Sequence, residues 1–466
     1  MEELTMLEQL KKFPFGFIVC CLSFTFERLA YYGGKWGIAV FVVLEAANGG
    51  LGLTTEQGAI FSSQFVAWTY ITPIIGGFIA DRWVSPRLLV PVGEILMAAG
   101  WFAISRATGA GGVWLAIILL AVGTGFFKGN VSGINGRQFD NDKDTLTTAF
   151  SLQYMFVNIG SFCGTTFLAL IGTQGAGYRA MFMACAVFML IDAAWWLFGM
   201  KYLGDAGKKP FLIDNRTEDV ENADVEKDKR PLTKLEKNRV IAILVLTFLS
   251  GLFWLFWYLL YMPVYYEFGP ASQGGMGWAN WNLGANFEMP TAWFDSMNGL
   301  LCIILAPTLA ALWNKLSKKG KDPSMMTKTA LGIMLLGLGV AMMVVGAGIY
   351  NGTGKPVGVW IIIMTAILMS VGEMLFSPLG NSFISEYAPK KYLGTLLGAW
   401  PFIIFFAGLA YGPLYNAMRG SFSRSFLIAA IVVFVAGALM LFFKNKFEAM
   451  IEGTEEQKRE LAEAEK

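Results

Sequence analysis

Histidine is absent from all 466 residues, and charged residues are scarce, at 15% of the chain. Without histidine the chain cannot build a Ser-His-Asp or Cys-His catalytic site or a histidine metal site. Any proton exchange near neutral pH must therefore use carboxyl groups that are tuned by their surroundings. Soluble domains carry about 25% charged residues, whereas 55% of this chain is hydrophobic. The composition indicates an integral membrane protein that lies in a lipid bilayer.

Cysteine and long basic runs are also scarce. The five cysteines all lie within apolar runs without metal-ligand spacing, so they are interpreted as small core residues. The net charge is +2 with no long basic run, so no nucleic-acid partner is expected. The start MEELTMLEQLKK leads straight into an apolar run, so no cleavable signal is expected. No nucleophile with its base and no metal cluster can be assembled, so neither an enzyme nor a metal or organic cofactor is expected.

Twelve apolar runs reach the length of about 20 residues that a helix needs to cross hydrocarbon. They lie at 13–44, 56–80, 86–106, 113–133, 145–171, 179–203, 237–266, 291–314, 325–349, 356–386, 392–417 and 423–443. A polar, mixed-charge stretch separates the sixth run from the seventh. The predicted organisation is a six-helix bundle at 1–203, a linker at 204–236, a second six-helix bundle at 237–446 and a charged tail at 447–466.

Positive charge is concentrated in the short loops on one side of the predicted membrane. The Lys and Arg residues of those loops are Lys11, Lys12, Arg82, Arg87, Arg137, Lys143, Lys315, Lys318, Lys319, Lys321, Lys390, Lys391, Lys444 and Lys446. The opposite side carries Arg106, Arg179, Lys355, Arg419 and Arg424. By the positive-inside rule, both termini and the linker are predicted to be cytoplasmic, in a multi-pass protein of the cell membrane.

The turn after the second span, GGFIADRWVSPR, carries a further signal. Gly76 and Gly77 are expected to permit close helix approach, and Asp81 and Arg82, together with Arg87, to bridge the cytoplasmic ends of neighbouring helices. This turn resembles the loop signature between spans two and three of the major facilitator superfamily. Six plus six spans with a cytoplasmic linker is also that superfamily's layout. The expected fold class is therefore all-α integral membrane, with the major facilitator fold of two six-helix bundles.

The first span carries a polar stripe in FERLAYYGGK. At 100° per residue its polar side chains share an arc of about 140°; they are Glu27, Arg28, Tyr31, Tyr32 and Lys35. Each ionisable group at the bilayer centre costs about 2.5–3.5 kcal/mol, so the stripe cannot face lipid. It must line a packed polar core or a water-filled cavity.

Isolated polar residues on other spans favour the cavity. They are Lys128, Asn158, Asn298, Glu373 and Ser377. The charges of the first-half stripe are mostly cationic, whereas Glu373 lies in the second half with no cation in its own span. The sequence therefore predicts opposite charges on opposite walls of a central cavity.

These segments resemble the proton-dependent oligopeptide transporter (POT or PTR) family. The resemblance is carried by FERLAYYGGK, GTGFFKGN, FVNIGS, NGLLCIILAPTLAALW, GEMLFSPLG and LLGAW, in family order from the first span to the eleventh. The resemblance implies uptake of di- and tripeptides or similar small zwitterions by alternating access, with protons as the coupling ion.

The resemblance also implies roles for particular residues. The peptide carboxylate would meet Lys35 and Lys128, and its amino group would meet Glu373. The remaining substrate-binding residues would be Tyr31, Tyr32, Tyr70, Asn158, Asn298 and Ser377, with Trp400 as the wall of a side-chain pocket. Proton coupling would involve Glu27, Arg28, Lys128 and Glu373, with Glu27 paired to Lys128. Asp81 and Arg82 would act in gating or structure.

The chain departs from the family pattern in four places. Phe24 stands where the family has an acid, and Lys35 stands where Arg is usual, which loses a two-pronged grip on a carboxylate. In span seven Trp257, Tyr258 and Leu259 replace polar residues. In span eight Asp295 stands where Gln is common.

The departures leave alternatives open. The missing acid at Phe24 admits a relative that carries a non-peptide solute, or one with weak or no proton coupling. A non-transporting receptor or scaffold is a further alternative, although it would not need charges on both walls. Asp192 in span six is open to interpretation as a packing contact or as a proton site.

Overall fold

Helices account for nearly all regular structure in the residues that the computed structural model describes, which are 13–139, 143–212, 230–284 and 287–464. The chain folds as two compact units, Met1–Asn215 and Arg216–Lys466. Residues 213–229 of the predicted linker lie outside the described residues, as do Lys11 and Lys12 among the predicted cytoplasmic cations.

The N-terminal unit contains six long helices. They are α1 (Phe15–Val43), α2 (Thr55–Arg82), α3 (Pro86–Ser105), α4 (Ala110–Gly136), α5 (Lys143–Cys163, continued by a π-helical turn at Gly164–Leu168 and by Ala169–Gln174) and α6 (Tyr178–Gly199). Short 3-10 turns lie at Ala46–Asn48, Arg137–Phe139 and Met200–Tyr202. Within this unit α1 packs against α5 and α6, and α3 packs against α4 and α6.

The described part of the C-terminal unit contains six long helices and two short ones. They are α7 (Lys234–Tyr266), α8 (Trp293–Ser317), α9 (Met325–Thr353), α10 (Trp360–Tyr387), α11 (Leu393–Arg419), α12 (Phe422–Phe442), α13 (Lys444–Glu452) and α14 (Glu455–Ala464). Short 3-10 turns lie at Ala271–Gln273 and Lys390–Tyr392. Two-residue strands, β1 (Ala279–Asn280) and β2 (Val357–Gly358), pair in parallel with Ala279 opposite Val357.

Eleven of the described helices are long and apolar enough to cross a membrane. Among α1–α12 the exception is α2, because Gln57, Gln64 and several hydroxyl side chains interrupt its 28 residues. Large apolar side chains are exposed along the helices, as at Leu427, Ile431 and Leu439 of α12. Such continuous apolar surface fits lipid rather than water.

Local signals fix where several helices begin. At the start of α2 the Gln57 N–H donates to Thr54 Oγ1 at 3.3 Å, and the Thr54 N–H donates to Gln57 Oε1 at 3.1 Å. Thr233 and Glu236 form the same reciprocal capping box at the start of α7. Each box satisfies backbone N–H groups that have no partner within the helix. The helix starts are therefore set by sequence a few residues long.

Glycine lets α2 approach α4 closely. A Cβ atom on Gly76 would collide with the Gly125 backbone carbonyl of α4, whereas a Cβ atom on Gly77 would meet nothing within 4 Å. The expectation of close approach is therefore right for Gly76 and wrong for Gly77, because adjacent helical residues point about 100° apart. Gly160 and Gly164 of α5 make a similar approach to the backbone of α1.

The cations of the turn after α2 have different surroundings. Arg87 is buried, and its guanidinium donates to the backbone carbonyls of Met200, Gly204 and Ala206 at 3.2, 2.7 and 2.6 Å. It therefore ties the start of α3 to the segment that follows α6. Arg82 is exposed and lies 4.0 Å over the ring of Phe78 in its own helix. The gating role assigned to Asp81 and Arg82 stays a prediction.

Candidate functional site

An ion pair lies at the N-terminal end of the polar stripe on α1. Glu27 and Arg28 are both buried, and Arg28 Nη2 donates to Glu27 Oε1 at 2.5 Å while Arg28 Nε donates to Oε2. This two-pronged geometry is the strong form of a carboxylate-guanidinium contact. The negative charge of Glu27 is therefore compensated within α1 itself.

Tyrosine rings lie against three cations of the N-terminal unit. The Arg28 guanidinium lies 4.2 Å from the ring centre of Tyr31, and Lys35 Nζ lies 5.3 Å from that of Tyr32. Lys128 on α4 lies with its Nζ 4.6 Å from the ring centre of Tyr70 on α2. Cations are attracted to the negative face of an aromatic ring without losing their charge. This part of the unit keeps a positive character.

Most of the predicted residues of the N-terminal unit lie near one another in the structure. The ion pair that Glu27 forms, however, differs from the predicted one. The family resemblance implies that Glu27 pairs with Lys128, whereas the structure pairs Glu27 with Arg28. Lys128 stays within electrostatic range of both. Asn158 on α5 donates its side-chain N–H to the carbonyl of Tyr154 in its own helix, at 2.9 Å. The predicted roles of these residues in binding and coupling remain predictions.

Phe24 fills the position where the family has an acid. Its side chain is buried and meets Phe127 of α4 edge to face, with ring centres 5.4 Å apart. The departure that the sequence indicated is thus an apolar contact between α1 and α4.

Neutral donors from two other helices hold Glu373 of α10. Asn298 Nδ2 on α8 donates to Glu373 Oε2 at 2.8 Å, and Trp257 Nε1 on α7 donates to the same oxygen at 3.1 Å. Asn298 Nδ2 also lies 3.0 Å from Ser370 Oγ. These N–H groups stabilise the carboxylate without cancelling its charge. Glu373 and Asn298, both predicted from sequence, meet directly.

Trp400 of α11 lines an apolar crevice within the C-terminal unit. Its ring stacks on Phe376 of α10 with centres 6.0 Å apart, and Leu246 and Phe383 line the same crevice. The Ser377 hydroxyl is buried and has no hydrogen-bond partner among the described groups. A pocket for substrate side chains beside Trp400 remains a prediction.

Sequence reasoning missed two features of this chemistry. Trp257 was noted only as a replacement of a polar residue, yet its indole N–H donates to Glu373; the available signal was that an indole itself carries an N–H donor. Glu94 was not singled out, although it is a lone acid in PRLLVPVGEILMAAG and is fully buried. Asp295, noted as an added acid, accepts a hydrogen bond from the Tyr265 hydroxyl.

The sequence of residues 25–413 matches the Major Facilitator Superfamily, and the chain belongs to it. A di-/tripeptide transporter of Lactococcus lactis subsp. cremoris is 24% identical, over 93% of this chain and 95% of the relative. A peptide transporter of Yersinia enterocolitica subsp. palearctica is 26% identical, over 81% and 83%. The crystal structure of a peptide transporter POT in complex with sulfate superposes with a TM-score of 0.82 at 24% identity, over 94% of this chain and 96% of that one.

Within the superfamily, the relatives that resemble this chain are peptide transporters, which supports the POT family that its motifs predicted. The predicted major facilitator fold is confirmed by the superfamily match and by the superposition. The expectation of a transporter rather than an enzyme is confirmed as well, because the relatives are transporters.

Proposed function

We propose that the protein is a secondary active transporter that takes up di- and tripeptides together with protons by alternating access. The observation that carries the proposal is the division of charge between the two units. The N-terminal unit holds Lys35 and Lys128 against tyrosine rings, and the C-terminal unit holds Glu373 on neutral N–H donors.

Substrate recognition follows from the two fixed charges of a short peptide. In the proposal, Lys35 and Lys128 bind its carboxylate and Glu373 binds its amino group. The tyrosine rings and the neutral N–H donors contact these groups without neutralising their charges. The site then recognises both charged ends of the peptide and discriminates little between its side chains. Such recognition suits a transporter of many short peptides. The names of the Lactococcus lactis and Yersinia enterocolitica relatives support peptides as the substrate class.

Proton coupling is assigned to Glu27, Arg28, Lys128 and Glu373. In the proposal, protonation of Glu27 breaks its ion pair with Arg28 and leaves that guanidinium without its carboxylate. A buried charge that loses its partner is strongly destabilised, so it favours a different arrangement of the helices. In the proposal, the change of charge on Glu27 thereby drives a rearrangement of the helices.

The proposed location is the cell membrane, with the lipid bilayer around α1–α12. The predicted excess of Lys and Arg in the loops at the ends of α2, α8 and α12 supports cytoplasmic termini.

Reconstituted vesicles test the proposal directly. We expect an inward proton gradient to drive labelled dialanine above its equilibrium level, and an imposed dialanine gradient to acidify the vesicle lumen. Glu27→Gln should abolish uphill accumulation but retain exchange of dialanine across the membrane. Glu45→Gln, which removes an exposed loop carboxylate, should behave like the wild type.

Other outcomes distinguish the alternatives. Dialanine movement without acidification would support a weakly coupled transporter, for which the buried Phe24 is the specific observation. Transport of another small zwitterion, but not of dialanine, would replace peptide as the substrate. Accumulation that is unimpaired in Glu27→Gln would contradict the role of Glu27, and the absence of any solute movement would favour a receptor or scaffold.

A further inference from the structure

Two carboxyl groups are buried together in the N-terminal unit, away from the polar stripe's own ion pair. Glu94 lies on α3 and Asp192 on α6, and the side chains of both are 0% exposed. The two helices pack against each other and bring the two carboxyl groups within hydrogen-bonding reach. Ser23 of α1, also 0% exposed, brings its hydroxyl to the Asp192 side of the pair.

The four carboxyl oxygens lack hydrogen-bond donors. With both groups ionised, none of these oxygens has a partner among the described residues, and the Ser23 hydroxyl also forms no hydrogen bond there. Two ionised carboxylates both only accept hydrogen bonds, so they cannot bond to each other. One added proton turns one group into a donor and allows Glu94 and Asp192 to bond. An unpaired ion in such a site is strongly unfavourable, and two like charges are worse.

The surrounding helices carry other titratable and charged side chains. These are Cys20, Cys21, Glu27, Arg28, Tyr31, Tyr32 and Lys35 on α1, Glu56, Tyr70, Asp81 and Arg82 on α2, Arg87 on α3, Lys128 on α4, and Tyr178, Arg179 and Cys185 on α6. Among them Glu27 is the charge that acts on both carboxyl groups.

The buried and half-buried cations of these helices have contacts elsewhere, and one of them is Lys35, whose Nζ lies 5.3 Å from the Tyr32 ring centre. Arg28 pairs with Glu27, and Arg87 donates to backbone carbonyls. Arg179 donates to the Ser105 carbonyl at 2.9 Å, and Lys128 lies over Tyr70. Within the described part of the unit, Glu94 and Asp192 therefore have no salt bridge to compensate two negative charges.

We propose that Glu94 and Asp192 form a buried carboxyl pair that binds a proton and supplies the titratable group that the chain lacks at Phe24. Ser23 and Glu27 are four residues apart and share one face of α1, so the pair and the Glu27 ion pair lie along the same helix face. The charge of Glu27 opposes removal of the pair's proton, and protonation of Glu27 eases it. The charge at one site therefore affects the other.

The first test measures the proton without transport. Infrared spectra of the full-length protein in lipid should contain the C=O stretch of a protonated carboxyl at neutral pH, a signal that ionised carboxylates do not give. The double variant Glu94→Gln with Asp192→Asn should lose that contribution, and each single variant should lose it too, because the new amide donates to the remaining carboxylate. Glu45→Gln is the matched control and should leave the protonated-carboxyl signal unchanged.

Two spectroscopic results would overturn the proposed carboxyl pair. An identical carboxyl signal in the wild type and in both single variants would overturn it. Loss of the wild-type signal on adding sodium chloride, but not choline chloride, would also overturn it and identify a sodium site instead. The single variants keep the measurement decisive if the double variant fails to fold.

The second test asks whether the pair couples, and it rests on the proposed peptide transport. Loss of one coupled proton should lower the accumulation ratio of dialanine by about tenfold for each pH unit of gradient, with dialanine exchange unchanged. Normal accumulation in both single variants would overturn the coupling role. A protonated pair in a wild type that moves no dialanine would instead contradict the proposed function and leave the proton site standing.

Discussion

The surroundings of Glu373 illustrate how single residues set the chemistry of the C-terminal unit. One oxygen of this carboxylate accepts hydrogen bonds from an amide on α8 and an indole on α7. Both donors are neutral, so a cationic group can still be attracted to the carboxylate. The two donors hold the Glu373 carboxylate in one orientation and so fix where its negative charge lies.

Removal of the Trp257 donor should weaken substrate binding. Trp257→Phe keeps the aromatic wall but removes the N–H that lies 3.1 Å from Glu373 Oε2. Hydrogen bonds to charged groups contribute about 1.5–3 kcal/mol, so we expect KM for dialanine to rise by roughly 10- to 100-fold. Initial-rate uptake in vesicles measures this change.

A neighbouring tryptophan provides the control. The indole N–H of Trp254, one turn earlier on α7, is buried without a hydrogen-bond partner among the described groups. Trp254→Phe removes the same atoms but no hydrogen bond, so KM should stay near the wild-type value. Equal effects of the two variants would show that bulk, and not the contact with Glu373, matters.

At the scale of elements, the approach of α2 to α4 depends on which of two adjacent glycines faces the partner. Gly76 lies against the Gly125 carbonyl, and Gly77 faces open space. The approach also brings the α2 residue Tyr70 to Lys128 of α4. Helix packing and the placement of a candidate binding residue are therefore linked.

Alanine at the two positions should have opposite consequences. Gly76→Ala forces the backbones of α2 and α4 apart and should destabilise the protein by at least 1–3 kcal/mol, roughly the usual effect of overpacking. Gly77→Ala meets no atom within 4 Å, and it should be neutral or slightly stabilising because alanine favours helix over glycine. Thermal unfolding in detergent compares them. Equal melting temperatures would show that the close approach of Gly76 to Gly125 does not limit stability.

Across the whole molecule, stability should depend on the protonation of a carboxyl at the end of α7. Glu267 follows Tyr266 and is buried, with the Tyr415 hydroxyl donating to its Oε1 at 2.6 Å and Arg419 Nε 4.0 Å away. Burial raises the pKa of Glu267 from its ordinary 4.5 to about 7, although the hydrogen bond from Tyr415 and the charge of Arg419 lower it.

The raised pKa of Glu267 predicts lower stability at higher pH. The folded protein binds this proton more tightly than the unfolded chain, so the contribution is complete below about pH 4.5 and is lost as pH rises through about 7. The loss amounts to about 3 kcal/mol of unfolding free energy. Melting temperatures should fall over this interval more steeply in the wild type than in Glu267→Gln.

The control for the pH dependence is an exposed carboxyl. Glu45→Gln should retain the wild-type slope, because it removes an exposed carboxyl and leaves the buried Glu267 in place. Parallel curves for the wild type and Glu267→Gln would refute the assignment to Glu267.

The sequence by itself determined the class of fold and the polar face of α1. Apolar runs of spanning length must form helices in a bilayer, because every backbone polar group there needs a partner within the segment. The stripe from Glu27 to Lys35 follows from helical period alone, which is a local property. The isolated polar residues of the apolar spans included Glu373 and Asn298, and these two side chains do meet in the structure.

The tertiary structure decided which side chains contact one another. Glu27 bonds to Arg28, Trp257 donates to Glu373, and Glu94 lies beside Asp192 on a helix far along the chain. Such contacts depend on how helices remote in sequence rotate and approach, which no periodic pattern specifies. The sequence therefore determined which charges lie inside the membrane, and packing decided which of them are compensated.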